Sequence, residues 1–361
     1  MNQPNPRFLA TVPRALTSLY RDGRRGYWVD PITTSYVAIA LLTTRESPQS
    51  PHLLAASRYL CATFKKEEIG GSWASELSDT ALAIRALRCL SREREGLIDD
   101  AFAWISSKQL PDGSFDGEPW DSLYVALAAL EANQLDLIVP TLRWLVSTQA
   151  VSGALISSHY TGLFCEVLAR GLEQESLPSA LHQELREAAL KALGFLWNGF
   201  EPGTLWSGTS WTNALVIQGM VALHHPQLLS RYDDILDWYA VEQSPIGVWE
   251  DTVRTAMVVE ALWKLQLAFE IDRCYKRQLE SLTIDFFIRS TEEHLVETVC
   301  QYTTKSPIIS GLKFVEKDSE GNFIIALTRQ RQLYLGIAAF VLSCLWGLLT
   351  NWSAIRHLFG R

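Results

Sequence analysis

Two kinds of apolar pattern alternate along the chain. Residues 99–108, 185–197 and 232–243 carry apolar side chains at three-and-four spacing with polar ones between, which predicts helices with one wet face. Residues 33–42, 79–90, 121–130, 160–168, 211–223 and 252–262 have smaller side chains and are apolar nearly all round, which predicts helices buried on every side. A recurring turn joins the two kinds. Trp104-Ile105, Gln109 and Gly113-Ser114-Phe115 give one copy, Trp144-Leu145, Gln149 and Gly153-Ala154-Leu155 a second, and Trp238-Tyr239, Gln243 and Gly247-Val248-Trp249 a third. Tyr59-Leu60 with Gly71-Ser72-Trp73, and Phe195-Leu196 with Gly203 and Trp206, lack the Gln, and Gly26-Tyr27-Trp28 is a leading half copy.

The six glycines from Gly26 to Gly247 are 45, 42, 40, 50 and 44 residues apart, so one helix pair is repeated six times. A pair this small cannot bury its own apolar face, and neighbours must stack. With six units and no polar capping repeat, the economical geometry is a closed ring of six inner helices within six outer ones. Gly permits a positive backbone angle just past the outer helix. Gln is placed to reach the free carbonyls of that helix end, and the aromatic to pack over the amide.

This turn resembles the QW motif of squalene and oxidosqualene cyclases, and the predicted ring resembles the six-fold α/α toroid those enzymes share with protein prenyltransferase β subunits. The resemblance implies an all-α (α/α)6 toroid over residues 7–270, with a deep central cavity that opens where the inner helices begin and accommodates isoprenoid chains or a peptide carrying one. The family's chemistry is then sought residue by residue, because fold alone does not carry function. Class II cyclases protonate an alkene with the middle Asp of Asp-x-Asp-Asp-Thr-Ala. The nearest match is Glu76-Leu77-Ser78-Asp79-Thr80-Ala81, whose middle position is Ser78, and a hydroxyl cannot protonate a carbon–carbon double bond. Trp249-Glu250-Asp251-Thr252 lacks the spacing. His159-Tyr160-Thr161 resembles the prenyltransferases' zinc-binding His-Tyr-Thr, with Cys165 six residues on, but no Asp-x-Cys occurs. The Cys-His-Gly of lanthionine synthetases is missing too, and Cys61, Cys89, Cys165, Cys274, Cys300 and Cys344 show no metal-site spacing. No cofactor is expected, zinc included.

The remaining candidates gather at the predicted starts of the inner helices. Glu76, Asp79 and Asp251 are the candidate acids, and Asp30, Trp120, Asp121, Tyr124, His159, Tyr160, Trp211, Asn213, Glu250 and Arg254 the candidate ligand-binding rim. Helix capping competes directly as a role for Asp79, Asp121 and Asp251, since Asp suits an N-cap and the positive end of a helix dipole. Together these residues predict an acidic, aromatic rim for a cation, a basic peptide or an amphiphile's head group. The expected function is binding of an apolar isoprenoid- or lipid-like ligand, or of a partner peptide, without standard cyclase chemistry. The alternative is a divergent terpenoid enzyme with a rim carboxylate as acid.

Composition narrows the partners. Forty acidic side chains against 32 basic ones, a net charge of −8, give no electrostatic footprint for nucleic acid. Widely spaced cysteines predict reduced thiols, and the N-terminal stretch has no signal-peptide core. Residues 332–355 carry no charge. At about 1.5 Å per residue, a helix there covers the roughly 30 Å core of a bilayer. Arg329, Arg331, Arg356 and Arg361 flank it, and only nine residues follow Trp352, which predicts a tail-anchored protein with its main domain cytoplasmic. Between ring and anchor, residues 271–328 predict a small module: helices over 272–289 and 292–302, then a hairpin of strands 312–316 and 323–327.

Overall fold

The computed structural model describes residues 5–23, 27–90, 95–225 and 227–289, with the short strand pair 316–317 and 323–324. The chain divides into two compact units, Met1–Cys274 and Tyr275–Arg361. Helix pairs follow one another through the first: α1 (Pro6–Asp22) and α2 (Pro31–Thr43), α3 (Pro51–Thr63) and α4 (Leu77–Leu90), α5 (Glu95–Ser106) and α6 (Pro119–Ala132), α7 (Leu135–Thr148) and α8 (Ser158–Glu173), α9 (Ser179–Asn198) and α10 (Ser210–Ala222), and α11 (Tyr232–Glu242) and α12 (Thr252–Arg289). Pro at the first position opens α1, α2, α3 and α6, where the missing N–H costs nothing. Asp30 and Ser50 cap α2 and α3 by accepting from the N–H groups of Thr33 and Leu53.

The even-numbered helices pack side by side, α2 on α4, α4 on α6, α6 on α8 and α8 on α10. Gln218 Nε2 donates to the Met257 carbonyl at 3.2 Å and joins α10 to α12. All six contribute side chains to one central space. Odd-numbered helices pack outside them, and α11 meets α1. Gln243 Nε2 donates to the Thr11 carbonyl at 3.0 Å, so the last turn is fixed to the first helix.

One device recurs at all six turns between an odd helix and the next even one. The backbone N–H groups of Trp28, Trp73, Phe115, Leu155, Trp206 and Trp249 donate over 2.9–3.1 Å to the side-chain oxygens of Thr34, Thr80, Ser122, Thr161, Asn213 and Thr255. Each acceptor is fully buried. The same side chains donate onward to carbonyls of the turn, such as Thr80 to Glu76 at 2.7 Å and Asn213 to Ser207 at 2.8 Å. Asn213, expected on a binding rim, is therefore a buried structural residue. Burial of an unpaired amide would cost about 1–3 kcal/mol, which explains a polar atom here in every copy.

Four of the six odd helix ends have a carbonyl satisfied by an indole. Indole Nε1 of Trp28, Trp73, Trp206 and Trp249 donates to Leu19, Leu60, Leu196 and Tyr239. In the two turns with Phe115 and Leu155 no indole is present, and Gln is. Contrary to the sequence expectation, the Gln amide does not reach back to its own helix end. Gln109 Nε2 donates to Gly113 and to Leu137 of α7, and Gln149 Nε2 to Gly153 and to Ala188 of α9. The Gln side chain ties one pair to the next because the next odd helix crosses directly beneath the turn.

Two further expectations change. The stretch 272–289 is not a separate helix but continues from 252 within α12, because neither Gly nor Pro interrupts the chain between them. A short pair not expected from the sequence, β1 (Lys65–Lys66) and β2 (Gly71–Ser72), closes the second turn. In the second unit β3 (Glu316–Lys317) pairs antiparallel with β4 (Phe323–Ile324). The helix predicted over 292–302 and the span predicted over 332–355 lie outside the described residues. Among the described residues no helix is long and apolar enough to cross a membrane.

Gly153 has φ +93°, and a Cβ there would run into the Lys191 carbonyl of α9, whereas Gly203 faces open space. Gly153→Ala is expected to destabilise the fold by ~2 kcal/mol or more and Gly203→Ala by less than ~0.5 kcal/mol, measured by chemical denaturation.

Candidate functional site

Five of the predicted rim residues meet at the starts of α6, α8 and α10. The indole of Trp120 touches Tyr124 at 5.0 Å, Tyr160 at 5.6 Å, His159 at 6.1 Å and Trp211 at 6.4 Å between centroids, each edge to face. His159 also packs on Trp211 at 4.5 Å and on Tyr160 at 4.6 Å. Trp120, His159, Tyr160 and Trp211 are half-buried and Tyr124 is buried, so the cluster forms a floor with one face toward solvent. Ser157 Oγ lies 3.0 Å from His159 Nδ1, and burial lowers the His159 pKa, which keeps the imidazole neutral near pH 7.

Most of the rim carboxylates are helix caps. Asp30 accepts from the Thr33 N–H at 2.7 Å, and Asp251 accepts from the Arg254 N–H at 2.8 Å and pairs with its guanidinium. Asp121 and Glu250 each serve a neighbouring helix. Asp121 accepts from the Ser78 N–H at the start of α4, at 3.2 Å. Glu250 accepts from the Ser210 N–H and hydroxyl at the start of α10, at 3.2 and 2.7 Å. Capping thus accounts for Asp121 and Asp251, while Glu76 is exposed and Asp79 is not a cap. Among the described residues Asp79 has neither a hydrogen bond nor an ion pair. Burial, together with the charges of Asp30, Glu76 and Asp121, pushes its pKa up to about 6.

Beneath the floor the central space is filled. Tyr36, from the second turn of α2, shares a 2.5 Å hydrogen bond with Tyr124. Below them lies a buried charge network that the sequence reading missed. Arg85 Nε donates to Glu131 at 3.0 Å, and its Nη2 lies 3.6 Å from Glu166. Lys264 Nζ reaches Glu260 at 2.7 Å, and Glu166 and Gln218 at 3.3 Å each. Burial raises the Glu166 pKa, but Lys264 and Arg85 outweigh it and hold the carboxyl down at about 2. One signal was legible: Arg85, Glu166, Gln218 and Glu260 each interrupt an otherwise apolar buried run. Tyr36, Tyr124 and this network, with Leu82, Leu163 and Met257, leave a cavity of about 10 Å³, room for about one water. Where these residues line it, the central space is taken up by the chain's own side chains.

Among the described residues no three of His, Cys, Asp and Glu are grouped to hold a metal. Cys165 is buried beside Gly219 where α8 meets α10, and burial raises its thiol pKa.

No family model and no curated protein matches this sequence. Solved structures do. The type II terpene cyclase MstE from Scytonema, in its apo form, is similar over 73% of this chain and 100% of its own, with a TM-score of 0.59 at 14% identity. A variant of MstE in complex with geranylgeranyl dihydroxybenzoate, its substrate, gives 0.60 at 15% identity over 73% and 98%. A protein from Actinoplanes gives 0.56 at 18% identity over 72% and 99%. The mostly helical fold is terpene cyclase-like, and identities this low speak for the fold alone.

Two pH effects follow. Asp79 is raised in the folded state, so its stabilising protonation is complete below about pH 3.8 and lost as pH rises through about 6. Asp79→Asn is expected to raise the thermal midpoint at pH 7.5 and to leave it unchanged at pH 3.5. Glu166 is depressed, so its contribution is present above about pH 4.5 and lost as pH falls toward 2. Glu166→Gln is expected to flatten the stability profile over that window and to cost ~3–5 kcal/mol at pH 7, by denaturant titration.

Proposed function

We propose that the chain closes into an (α/α)6 toroid on turns of the QW type and serves as a membrane-tethered binding module. Its mouth, the end where the even-numbered helices begin, takes an apolar isoprenoid- or lipid-like ligand without the acid chemistry of a type II cyclase. One observation carries the reading: the half-buried aromatic floor of Trp120, His159, Tyr160 and Trp211, flanked by the carboxylates at the starts of α2, α4 and α6. Such a floor offers apolar area to a chain laid across it, and the rim offers polar groups to its head. The filled axis favours binding at the mouth over threading through the centre.

The isoprenoid class is supported by the similar fold of a cyclase whose bound substrate carries a geranylgeranyl chain. The charge-free run 332–355 supports a single membrane anchor, with residues 271–328 as the spacer and the main domain in the cytoplasm. No cofactor enters this reading.

One observation favours an enzymatic alternative. Asp79 is an uncapped carboxyl that keeps its proton up to about pH 6 in a terpene cyclase-like fold. An acid of that strength suits milder proton transfer than alkene protonation.

Energy transfer from tryptophan to a dansyl-labelled geranylgeranyl probe tests the binding reading on the full chain. Trp120→Ala and Trp211→Ala are each expected to weaken binding about tenfold, the loss of roughly 1.4 kcal/mol of aromatic contact. No binding by the wild type, or wild-type affinity in both variants, overturns it. Turnover of geranylgeranyl dihydroxybenzoate to any product by the wild type but not by Asp79→Asn, read by chromatography with mass spectrometry, establishes the alternative instead.

A further inference from the structure

The exposed aliphatic side chains are not scattered evenly. Val29, Ile69, Leu110, Val151, Ile156 and Ile246 all lie on turns that lead from an odd helix into an even one. Val151 is 100% exposed, Val29 85% and Ile156 65%. Among the described residues, the turns leading from an even helix into an odd one carry no exposed large aliphatic. Single exposed apolar residues need no explanation, but recurrence in five of six equivalent turns does.

Charge follows the same division. Among the described residues, the odd-to-even turns hold ten carboxylates against three basic side chains, and the even-to-odd turns hold two against two. One end is thus both aliphatic and acidic. An anionic bilayer would be repelled by such a surface, since lipid docking draws on basic residues. A basic protein segment is matched by it in both respects.

We infer that the aliphatic tips around the mouth form a docking surface for a basic, amphipathic segment of a partner protein. Apolar residues of the partner would cover Val151, Ile156 and Val29, and its Lys or Arg side chains would face the acidic second and third turns. The inference rests on the closed toroid proposed above only in placing the six turns at one end. It does not require the mouth to hold a lipid.

The test uses the full chain and two fluorescein-labelled 14-residue helical peptides with identical Leu positions, one bearing Lys and the other Glu at every polar position. Anisotropy is expected to show the Lys peptide binding at least tenfold more tightly. The double variant Val151→Ser, Ile156→Ser is expected to weaken it at least tenfold, with thermal midpoint and geranylgeranyl probe binding unchanged. Leu190→Ser, an exposed residue in mid-α9, is the control expected to have no effect. Equal binding of the two peptides, or an unaltered affinity in the double variant, overturns the proposal. So does protection of the 149–157 amides from hydrogen exchange by phosphatidylcholine–phosphatidylserine nanodiscs without peptide, which would make a bilayer the occupant. Loss of probe binding in Trp120→Ala with peptide binding intact would separate this surface from the ligand reading.

Discussion

The bond from the backbone N–H of each turn aromatic to a buried hydroxyl or amide in the first turn of the following helix is the constraint on which the other features depend. It fixes where each even-numbered helix begins and seats the aromatic under the end of the preceding one. The turns then differ in how the odd helix end is closed. An indole does it in four, and Gln ties the turn to the next pair where Phe115 or Leu155 replaces Trp. The last turn uses both, and it is the one fastened to α1 across the whole length of the first unit. Position-specific satisfaction of buried polar groups, rather than one invariant phrase, unites the six copies.

That economy also sorts the carboxylates at the starts of the even-numbered helices. A helix start offers several free N–H groups, and adjacent starts lie close enough for one helix's acid to serve its neighbour. Asp121 and Glu250 do so, whereas Asp30 and Asp251 serve their own helices. Asp79 is left with no donor, and its burial, reinforced by the charges of Asp30, Glu76 and Asp121, raises its pKa. Its distinctness comes from what surrounds it, not from the stretch Glu76 to Ala81 that it belongs to. Thr80, in that same stretch, belongs to the turn device.

The axis carries the opposite arrangement. Buried Arg85, Glu166 and Glu260 and half-buried Glu131 and Lys264 are mutually satisfied, and they link α4, α6, α8 and α12 through charge-assisted bonds. A buried network of this kind is costly to break once formed. Together with the Tyr36–Tyr124 pair it fills the space among these helices down to about 10 Å³.

The alternation of half-wet and all-apolar runs, and the spacing of Gly113, Gly153 and Gly247, determined the helix pairs and their number, because periodicity and backbone conformation are local properties. The meeting of Trp120, Tyr124, His159, Tyr160 and Trp211 was also legible, since repeat position alone assigns them to equivalent helix starts. Partner choice was not. Nothing in the sequence distinguishes Asp79, which lacks a donor, from Asp121, which caps a different helix. Nor does it tell Asn213 of the rim from Asn213 of the core. Those assignments depend on which helix start lies within about 3 Å of which side chain, a distance fixed only when the pairs pack. The filling of the axis has the same origin. Arg85, Glu166 and Glu260 lie far apart in the chain, and only packing brings their charges close enough to satisfy one another where water is excluded.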